Sequence, residues 1–291
     1  MKILPLLTTL VTLLLLSAPG WAKPLVVTSI RPLTMIVQAI GGDQIEVKQL
    51  LPDTEEPHHY SLRISDKLLL NQADLVIWVG PELESFLVRA ISSLNPEKVI
   101  TAISLADIRS SKAGGSIDPH IWLNPNNGTV IATEVSNWLA AHFPKFREDM
   151  LTSQQRFRTE TLATTGLISQ RLLSVKGLKM LVDHDAFSHF FNTFDIQQVG
   201  ALKTTSGLAT GVGNLQTVLS GAEFDCIVSE PQSDHARVET MAARTSAQTV
   251  VIDPLGANVS GTANDYLTLL QDIAASLESC LPRSLPQEAS P

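Results

Sequence analysis

Apolar runs of strand length alternate with amphipathic segments of helical length along most of the chain. The strand-like runs occur at residues 24–29, 44–51, 74–79, 99–102, 179–183, 196–202, 225–229 and 249–253. Apolar residues between many of these runs recur with a spacing near 3.6, which is typical of helices packed on one face. Repeated strand–helix units form parallel sheets covered by helices. The pattern therefore predicts an α/β fold.

A long polar stretch divides the strand-like runs into two groups. Residues 144–176 contain only one proline, Pro144, and one glycine, Gly166, and they are rich in residues that favour helices. One long helix is predicted there. The resulting organisation is an N-terminal α/β lobe at 23–143, a linking helix at 144–176, a C-terminal α/β lobe at 177–282 and a flexible tail at 283–291.

The first 22 residues have the pattern of a secretory signal peptide. Lys2 precedes an apolar segment, Pro19 and Gly20 interrupt it, and Ala22 ends a small-x-small cleavage sequence. The alternative is a membrane anchor, but the apolar run of about 14 residues is shorter than the roughly 20 that span a bilayer. Export with cleavage near Ala22 is predicted. Because no lipid-attachment cysteine follows, the mature protein is expected to be soluble in the periplasm.

Export changes the interpretation of the two cysteines. Cys226 and Cys280 are the only ones in the chain, and an oxidising compartment favours a disulfide between them over two buried free thiols. Closing the loop of about 53 residues would stabilise the fold by roughly 4 kcal/mol.

Charge excludes two classes of partner. The chain has 21 Lys and Arg against 29 Asp and Glu, a formal net charge of −8, and no long basic run. Nucleic acids and anionic membrane surfaces are bound through clustered cations, so neither is expected as a partner.

Three histidines and one aspartate lie at or just after the ends of predicted strands: His58, His120, His184 and Asp253. In open α/β sheets, ligands bind outside the carboxyl ends of the strands. Four nitrogen and oxygen donors suit a tetrahedral transition-metal site, for which zinc is the usual ion. The alternative is a set of buried, hydrogen-bonded side chains without a metal, and the residue pattern leaves both open. The other four histidines are interpreted as non-ligands: His59, His142, His189 and His235.

Six sequence blocks in fixed order resemble the zinc-binding proteins of bacterial ABC uptake systems, which are solute-binding proteins specific for zinc and manganese. The blocks are LLPDTEEPHHYSLRISD at 50–66, ADLVIWVGPELESF at 73–86, DPHIWLNP at 118–125, HDAFSHF at 184–190, SEPQ at 229–232 and DPLG at 253–256.

The resemblance implies a metal site in the cleft between two lobes that a single rigid helix joins. It assigns His58, His120, His184 and Asp253 as ligands, and in some zinc members it implies a bridge equivalent to Cys226–Cys280. Its implied partner is the integral-membrane permease of an ABC transporter, and a monomer is expected. Manganese-type members carry glutamate at the position of His184, so zinc is expected here.

Two departures qualify the resemblance, and three aspartates are candidates to support the ligands. The stretch at 104–117 is short and has no histidine, unlike the His-rich loop of many zinc members. Pro57 stands where some members have a glutamate, so an extra carboxylate ligand is not expected, although Glu55 and Glu56 are close. Asp118, Asp183 and Asp185 are candidates to orient the imidazoles.

The predicted function is capture of Zn²⁺ and its delivery to the permease, without catalysis, because a site closed by four donors has no open position for a reacting water. The alternatives are a manganese or iron protein of the same transporter class, a zinc-dependent hydrolase or an adhesin. The chain has no H-E-x-x-H or G-x-S-x-G motif that would support a hydrolase.

Overall fold

A computed structural model describes residues 22–53, 55–113, 116–210, 223–259 and 264–281 of the 291-residue chain. The predicted signal peptide, apart from Ala22, and the predicted tail at 283–291 lie outside the described residues. Within the described ranges, no helix is both long and apolar enough to cross a membrane.

The N-terminal lobe is built on a four-stranded parallel sheet of order β2-β1-β3-β4. Its strands are β1 Leu25–Thr28, β2 Glu46–Gln49, β3 Leu75–Trp78 and β4 Val99–Thr101, and its helices are α1 Arg31–Gly41, α2 Ile64–Gln72, α3 Val88–Ile91 and α4 Pro125–His142. The central strand β3 is buried at every position, whereas the edge strand β2 alternates between exposed and half-buried residues. This is why β3 consists of four apolar residues and β2 contains charged ones.

A small antiparallel hairpin follows β4. It consists of β5 Lys112–Ala113 and β6 Ser116–Ile117. The apolar pattern did not predict these strands, since each has only two residues.

The linking helix α5 spans Arg147–Arg171, with short 3-10 turns at Pro144–Phe146 and Leu172–Ser174. The buried residues of the helix form a narrow stripe along one face: Met150, Phe157, Thr161, Thr164 and Ile168. The spacing of this stripe is that of one helical face. The long helix predicted at this position is confirmed.

The C-terminal lobe has a second four-stranded parallel sheet, of order β10-β9-β7-β8. Its strands are β7 Lys179–His184, β8 Gln197–Lys203, β9 Cys226–Ser229 and β10 Gln248–Val251, and its described helices are α6 Ser188–Phe194, α7 His235–Thr245 and α8 Asp265–Leu277.

The two sheets have the same topology. In each, the first strand of the lobe lies between the second and the third, and the fourth lies beyond the third. The chain therefore leaves the first strand in one direction and later crosses to its other side. This reversal opens a crevice at the carboxyl ends of the strands, where ligands bind in open α/β folds. The predicted α/β fold class with two lobes is confirmed.

The lobes share buried contacts beyond the linking helix. One apolar cluster includes buried residues from both sheets and from α5. At its centre, the Tyr266 hydroxyl of α8 donates to the Trp122 carbonyl at 2.7 Å, and the Tyr266 ring stacks on Phe157 with centroids 5.7 Å apart. Gly128 of α4 lies against Tyr266 so closely that a Cβ atom would overlap the ring. A continuous core of this kind is expected to couple the lobes during unfolding.

The predicted disulfide is present between Cys226 and Cys280, whose Cα atoms are 5.5 Å apart. Cys226 is the first residue of β9, and Cys280 ends the 3-10 turn that follows α8. The bridge therefore ties the last helix to the second sheet.

Candidate metal centre

Three imidazoles converge between the two lobes. His58 lies in the loop between β2 and α2, His120 directly precedes a 3-10 turn at Ile121–Leu123 that leads to α4, and His184 is the last residue of β7. Each offers a ring nitrogen within 4.8 Å of the other two, and the exposed fractions of the residues are only 8%, 3% and 8%. The structure thus brings together the three histidines that the strand-end pattern had predicted.

Asp118 fixes the orientation of His120. One oxygen of its carboxylate, Oδ1, accepts from the His120 backbone N–H at 3.0 Å and lies 2.7 Å from His120 Nδ1. Burial raises the pKa of Asp118 to about 6 and, together with the charge of His184, lowers the pKa of His120 well below its usual value. His120 is therefore neutral at pH 7. The bonding assigns its proton to Nδ1, so the Nε2 lone pair is available to a ligand.

Glu230 plays the same part for His184. It directly follows β9, and its Oε1 lies 2.9 Å from His184 Nδ1. Burial alone would lower the pKa of His184, but the hydrogen bond and the negative charge of Glu230 outweigh it, and the pKa is raised. A carboxylate behind an imidazole makes the other ring nitrogen a stronger metal ligand.

His58 differs from the other two because its ring has no carboxylate within hydrogen-bond length. Its Nε2 is buried and lacks a hydrogen-bond partner among the described residues, and the closest carboxylate oxygen, Glu56 Oε1, is 3.9 Å away. Burial and the charges of His120 and His184 lower the pKa of His58 to about 2. A buried, unpaired acceptor costs free energy unless a ligand occupies it. A metal ion shared by the three imidazoles would satisfy this atom.

The space at the imidazoles suits a single ion. The cavity measures about 20 Å³, which is room for one water molecule or ion rather than for an organic substrate. Its lining includes Trp122, Gln232, Pro254 and Leu255 beside the histidines and two carboxylates, Glu56 and Glu230.

Asp253 follows β10 but does not belong to the cluster of nitrogens. Its two oxygens accept from the backbone N–H groups of Leu255 at 2.8 Å and Ala257 at 2.6 Å. The only group of potential metal ligands within 4.8 Å of one another in the described part of the chain is the three histidines. The assignment of Asp253 as a ligand therefore stays a prediction.

Side chains of the N-terminal lobe hold the loop that carries Asp253. Arg31 Nε donates to the Gly256 carbonyl at 2.8 Å, and Trp122 Nε1 donates to the Pro254 carbonyl at 2.8 Å. Arg31 also pairs with Asp53 at 2.8 Å. These contacts place Pro254 and Leu255 against the metal cavity.

Of the three aspartates proposed to orient imidazoles, the structure places only Asp118 in that role. Asp183 is fully buried and instead contacts Lys203, Ser233 and Arg237, at 2.9, 2.7 and 2.5 Å. The carboxylate of Asp185 accepts from Ser188 and Gln198.

Two carboxylates at the site were not predicted. Glu230 occurs in the SEPQ block immediately after a predicted strand, which is the signal that would have found it. Glu56 precedes Pro57, and its carboxylate accepts from the His58 backbone N–H at 3.1 Å, which holds the turn that carries His58.

Comparisons with known proteins agree with this architecture. The family model described as "ZnuA: Zinc-uptake complex component A periplasmic" matches residues 26–280. The chain is 28% identical to the high-affinity zinc uptake system protein ZnuA of Haemophilus ducreyi, over 94% of this chain and 98% of that protein. It is 29% identical to the ZnuA of Yersinia pestis, over 94% and 96%.

A solved structure described as the crystal structure of ZnuA has the same fold, with a TM-score of 0.75 at 23% identity, and the match covers 88% of this chain and 99% of that one. The family match spans both lobes and includes all three converging histidines. The chain therefore belongs to the ZnuA family, the periplasmic component A of the zinc-uptake complex.

Proposed function

We propose that the protein captures Zn²⁺ in the periplasm and delivers it to the membrane permease of an ABC transporter. The observation that carries this proposal is the convergence of three buried imidazoles, within 4.8 Å, on a cavity of about 20 Å³. The zinc ion is cargo, bound by Nε2 of His58, His120 and His184. Nothing in this role requires a chemical step.

The fourth ligand is proposed to be Asp253, as the sequence predicts. Its carboxylate would exchange the amide hydrogen bonds of Leu255 and Ala257 for the metal. Glu56 is a second candidate, because it lines the cavity and its Oε1 is 3.9 Å from His58 Nε2. One carboxylate would leave the site with a charge near +1, and the negative groups behind His120 and His184 offset part of it.

The ligand set favours zinc over manganese. Three imidazole nitrogens are softer donors than the carboxylates and carbonyls that Mn²⁺ prefers, and the order of divalent-metal affinities also places Zn²⁺ above Mn²⁺. The runner-up is a manganese or iron protein of the same class, and direct competition between the ions distinguishes it.

Several wider proposals accompany this function. Residues 1–22 act as a signal peptide that is removed after Ala22, and the mature protein works as a monomer. Its lobes span residues 23–143 and 177–282, and residues 144–176 link them. Mass determination and light scattering of the protein recovered from a periplasmic extract test the first two proposals.

The decisive experiment is a Zn²⁺ titration of the mature protein beside H58A, H120A and H184A. We expect the parent to bind one ion with a Kd well below about 1 μM. Each alanine variant should lose more than the roughly 10- to 100-fold that removing a hydrogen-bond partner of a ligand costs. Parent affinity no tighter than micromolar, or equal zinc content in all four proteins, would contradict the proposal.

Matched variants identify the fourth ligand. D253N and E56Q change charge without much change in volume, and only the variant that removes a ligand should weaken zinc binding strongly. H59A is the control for the histidine variants, since His59 is an exposed neighbour of His58.

A further inference from the structure

A groove with an apolar floor crosses the surface of the N-terminal lobe between α2 and α3. Its volume is about 390 Å³, and its floor is formed by Leu62, Leu70, Phe86, Ala90 and Leu94. We call it the α2–α3 groove. It is distinct from the metal cavity and about twenty times larger.

The rim of the groove is positively charged. Lys67 and Arg89 lie on it, both exposed, and no carboxylate is among its lining residues. In the described part of the chain, no carboxylate lies within 4.0 Å of either cation, whereas many other cations are paired, such as Arg31 with Asp53. Because the whole chain carries a net charge of −8, this rim is a local exception to an acidic surface.

Helix α2 also exposes apolar side chains beside the groove. Ile64 is 80% exposed and Leu68, one turn later, is 59% exposed. A single exposed apolar residue is ordinary on a protein surface. These two residues do not line the groove, but they add exposed apolar area on the same helix, and larger exposed apolar areas mark interaction sites.

The groove begins at the edge of the sheet that carries the metal site. Leu62 and Phe86 follow the carboxyl ends of β2 and β3, as His58 follows β2. Tyr60, two residues after His58, packs edge-on against Phe86 with ring centroids 5.5 Å apart. The Tyr60 hydroxyl also donates to Asp66 of α2 at 2.9 Å. A partner bound in the groove would therefore contact Phe86, which packs against the loop that carries His58.

We propose that the α2–α3 groove is a docking surface for an acidic, amphipathic segment of the membrane permease. Apolar side chains of that segment fill the floor, and its carboxylates pair with Lys67 and Arg89. Complementary charge of this kind steers association and selects the partner. The inference rests on the proposed function, since it takes the permease as the recipient of the zinc.

The test measures binding of the zinc-loaded, full mature protein to proteoliposomes of phosphatidylcholine that contain the cognate transporter. Reversing both rim charges in K67E/R89E should raise the half-saturating concentration at least about tenfold. A90W, which fills the floor and keeps the rim charges, should weaken docking as well. All three exchanged side chains lie at the surface or half-buried, so the fold is expected to persist.

K48E/K98E is the matched control, because it makes the same change of net charge elsewhere on the same lobe. Unchanged docking of K67E/R89E, or an equal loss in this control, would overturn the proposal. Equal binding of the parent to vesicles of phosphatidylcholine and phosphatidylglycerol without transporter would assign the groove to lipid, and a dimer abolished by K67E/R89E would assign it to a second copy. Either result also overturns it.

A zinc titration of the same variants separates this proposal from the previous one. If the variants bind zinc as tightly as the parent but dock poorly, the result supports the α2–α3 groove as the docking surface. A parent that fails to bind zinc refutes the proposed function, whatever the docking result.

Discussion

At the scale of the residue, the metal centre depends on what lies behind each imidazole. Asp118 and Glu230 bind the Nδ1 atoms of His120 and His184, and this leaves the Nε2 atoms of both rings as the remaining donors, of which that of His184 lies 3.4 Å from the Thr205 carbonyl. His58 has no such support and is held through its backbone by Glu56. Two imidazoles oriented by carboxylates and one less constrained imidazole therefore meet at the candidate site.

Glu230 is expected to set how strongly the zinc affinity depends on pH. It raises the pKa of His184, so protons compete with zinc at a higher pH than at an ordinary histidine. In E230Q the pKa of His184 falls, so zinc affinity should decline less between pH 8 and pH 5 than it does in the parent. At pH 8 the affinity should fall about 10- to 100-fold, because the imidazole is less basic.

Zinc titrations from pH 5 to 8 check this expectation. E239Q is the control, since Glu239 is exposed on α7. An unchanged ratio of the zinc affinities at pH 5 and pH 8 in E230Q would show that Glu230 does not govern the protonation of His184.

Glu84 makes a second residue-scale prediction, for stability. It is fully buried, and burial raises its pKa to about 7 against the hydrogen bonds that Gly80, Ser29 and Val79 donate. Because the pKa of Glu84 is higher in the folded than in the unfolded chain, where it is near 4.3, its protonation stabilises the fold fully at pH values below about 4.3. This contribution is lost as the pH rises through 7. The loss amounts to roughly 3–4 kcal/mol.

E84Q should lack this dependence. Urea unfolding at pH 4.5, 6 and 8 should show the stability of the parent, relative to E84Q, declining as the pH rises. E82Q serves as the exposed control two residues away. A parent-to-variant difference that is the same at all three pH values would mean that Glu84 has the same protonation in the folded and unfolded chains.

At the scale of the element, packing between α4 and α8 determines how the lobes meet. Gly128 allows Tyr266 to approach α4 and to donate to the Trp122 carbonyl, two residues after His120. The contact thus supports the 3-10 turn at Ile121–Leu123, which directly follows His120. Glycine is otherwise unfavourable within a helix. Here the close approach of the Tyr266 ring explains why position 128 is a glycine.

G128A is expected to destabilise the protein by about 1–3 kcal/mol, because the added methyl group overlaps the Tyr266 ring. G166A is the matched control. Nothing lies within 4 Å of a Cβ at Gly166, in the middle of α5, so that variant should gain roughly 0.5–1 kcal/mol from helix propensity. Urea unfolding measures both changes. Equal effects of the two substitutions would exclude the packing explanation.

At the scale of the whole molecule, two sheets of identical strand order share one apolar cluster, and both lobes place histidines at one candidate metal site. Two separate lobes often unfold independently. Here the cluster runs through α5 and both sheets, so a single cooperative transition is expected. Zinc should stabilise both lobes together.

Two spectroscopic probes test whether the lobes unfold in a single transition. Trp78, Trp122 and Trp138 all precede the linking helix, so their fluorescence reports the N-terminal lobe, whereas far-UV circular dichroism reports the whole chain. We expect the two unfolding curves to coincide. When free zinc is 100 times Kd, the free energy of unfolding from both probes should rise by about 2.7 kcal/mol. H184A should abolish the shift in both probes. Separate transitions would show that the lobes are not coupled.

Much of the fold was predictable because its signals are local. Apolar runs marked all eight strands of the two parallel sheets, and the composition of residues 144–176 marked the linking helix. The two-residue strands of the hairpin were missed, since pairing rather than periodicity defines them. The common order of the two sheets was also not predictable, because the lobes show no repeat in sequence.

The sequence by itself determined the order of strands and helices, the cysteine pair and the three histidines at strand ends. Only the tertiary structure decided that their nitrogens meet within 4.8 Å, that Glu230 supports His184, and that the Asp253 carboxylate is bound by backbone amides. The physical reason is the distance along the chain over which each interaction acts. Periodicity and turn chemistry depend on residues that are neighbours in sequence. Desolvation and hydrogen bonding at the site depend on residues that are far apart in the chain. The α2–α3 groove is likewise a product of packing, since its floor and rim come from separate segments.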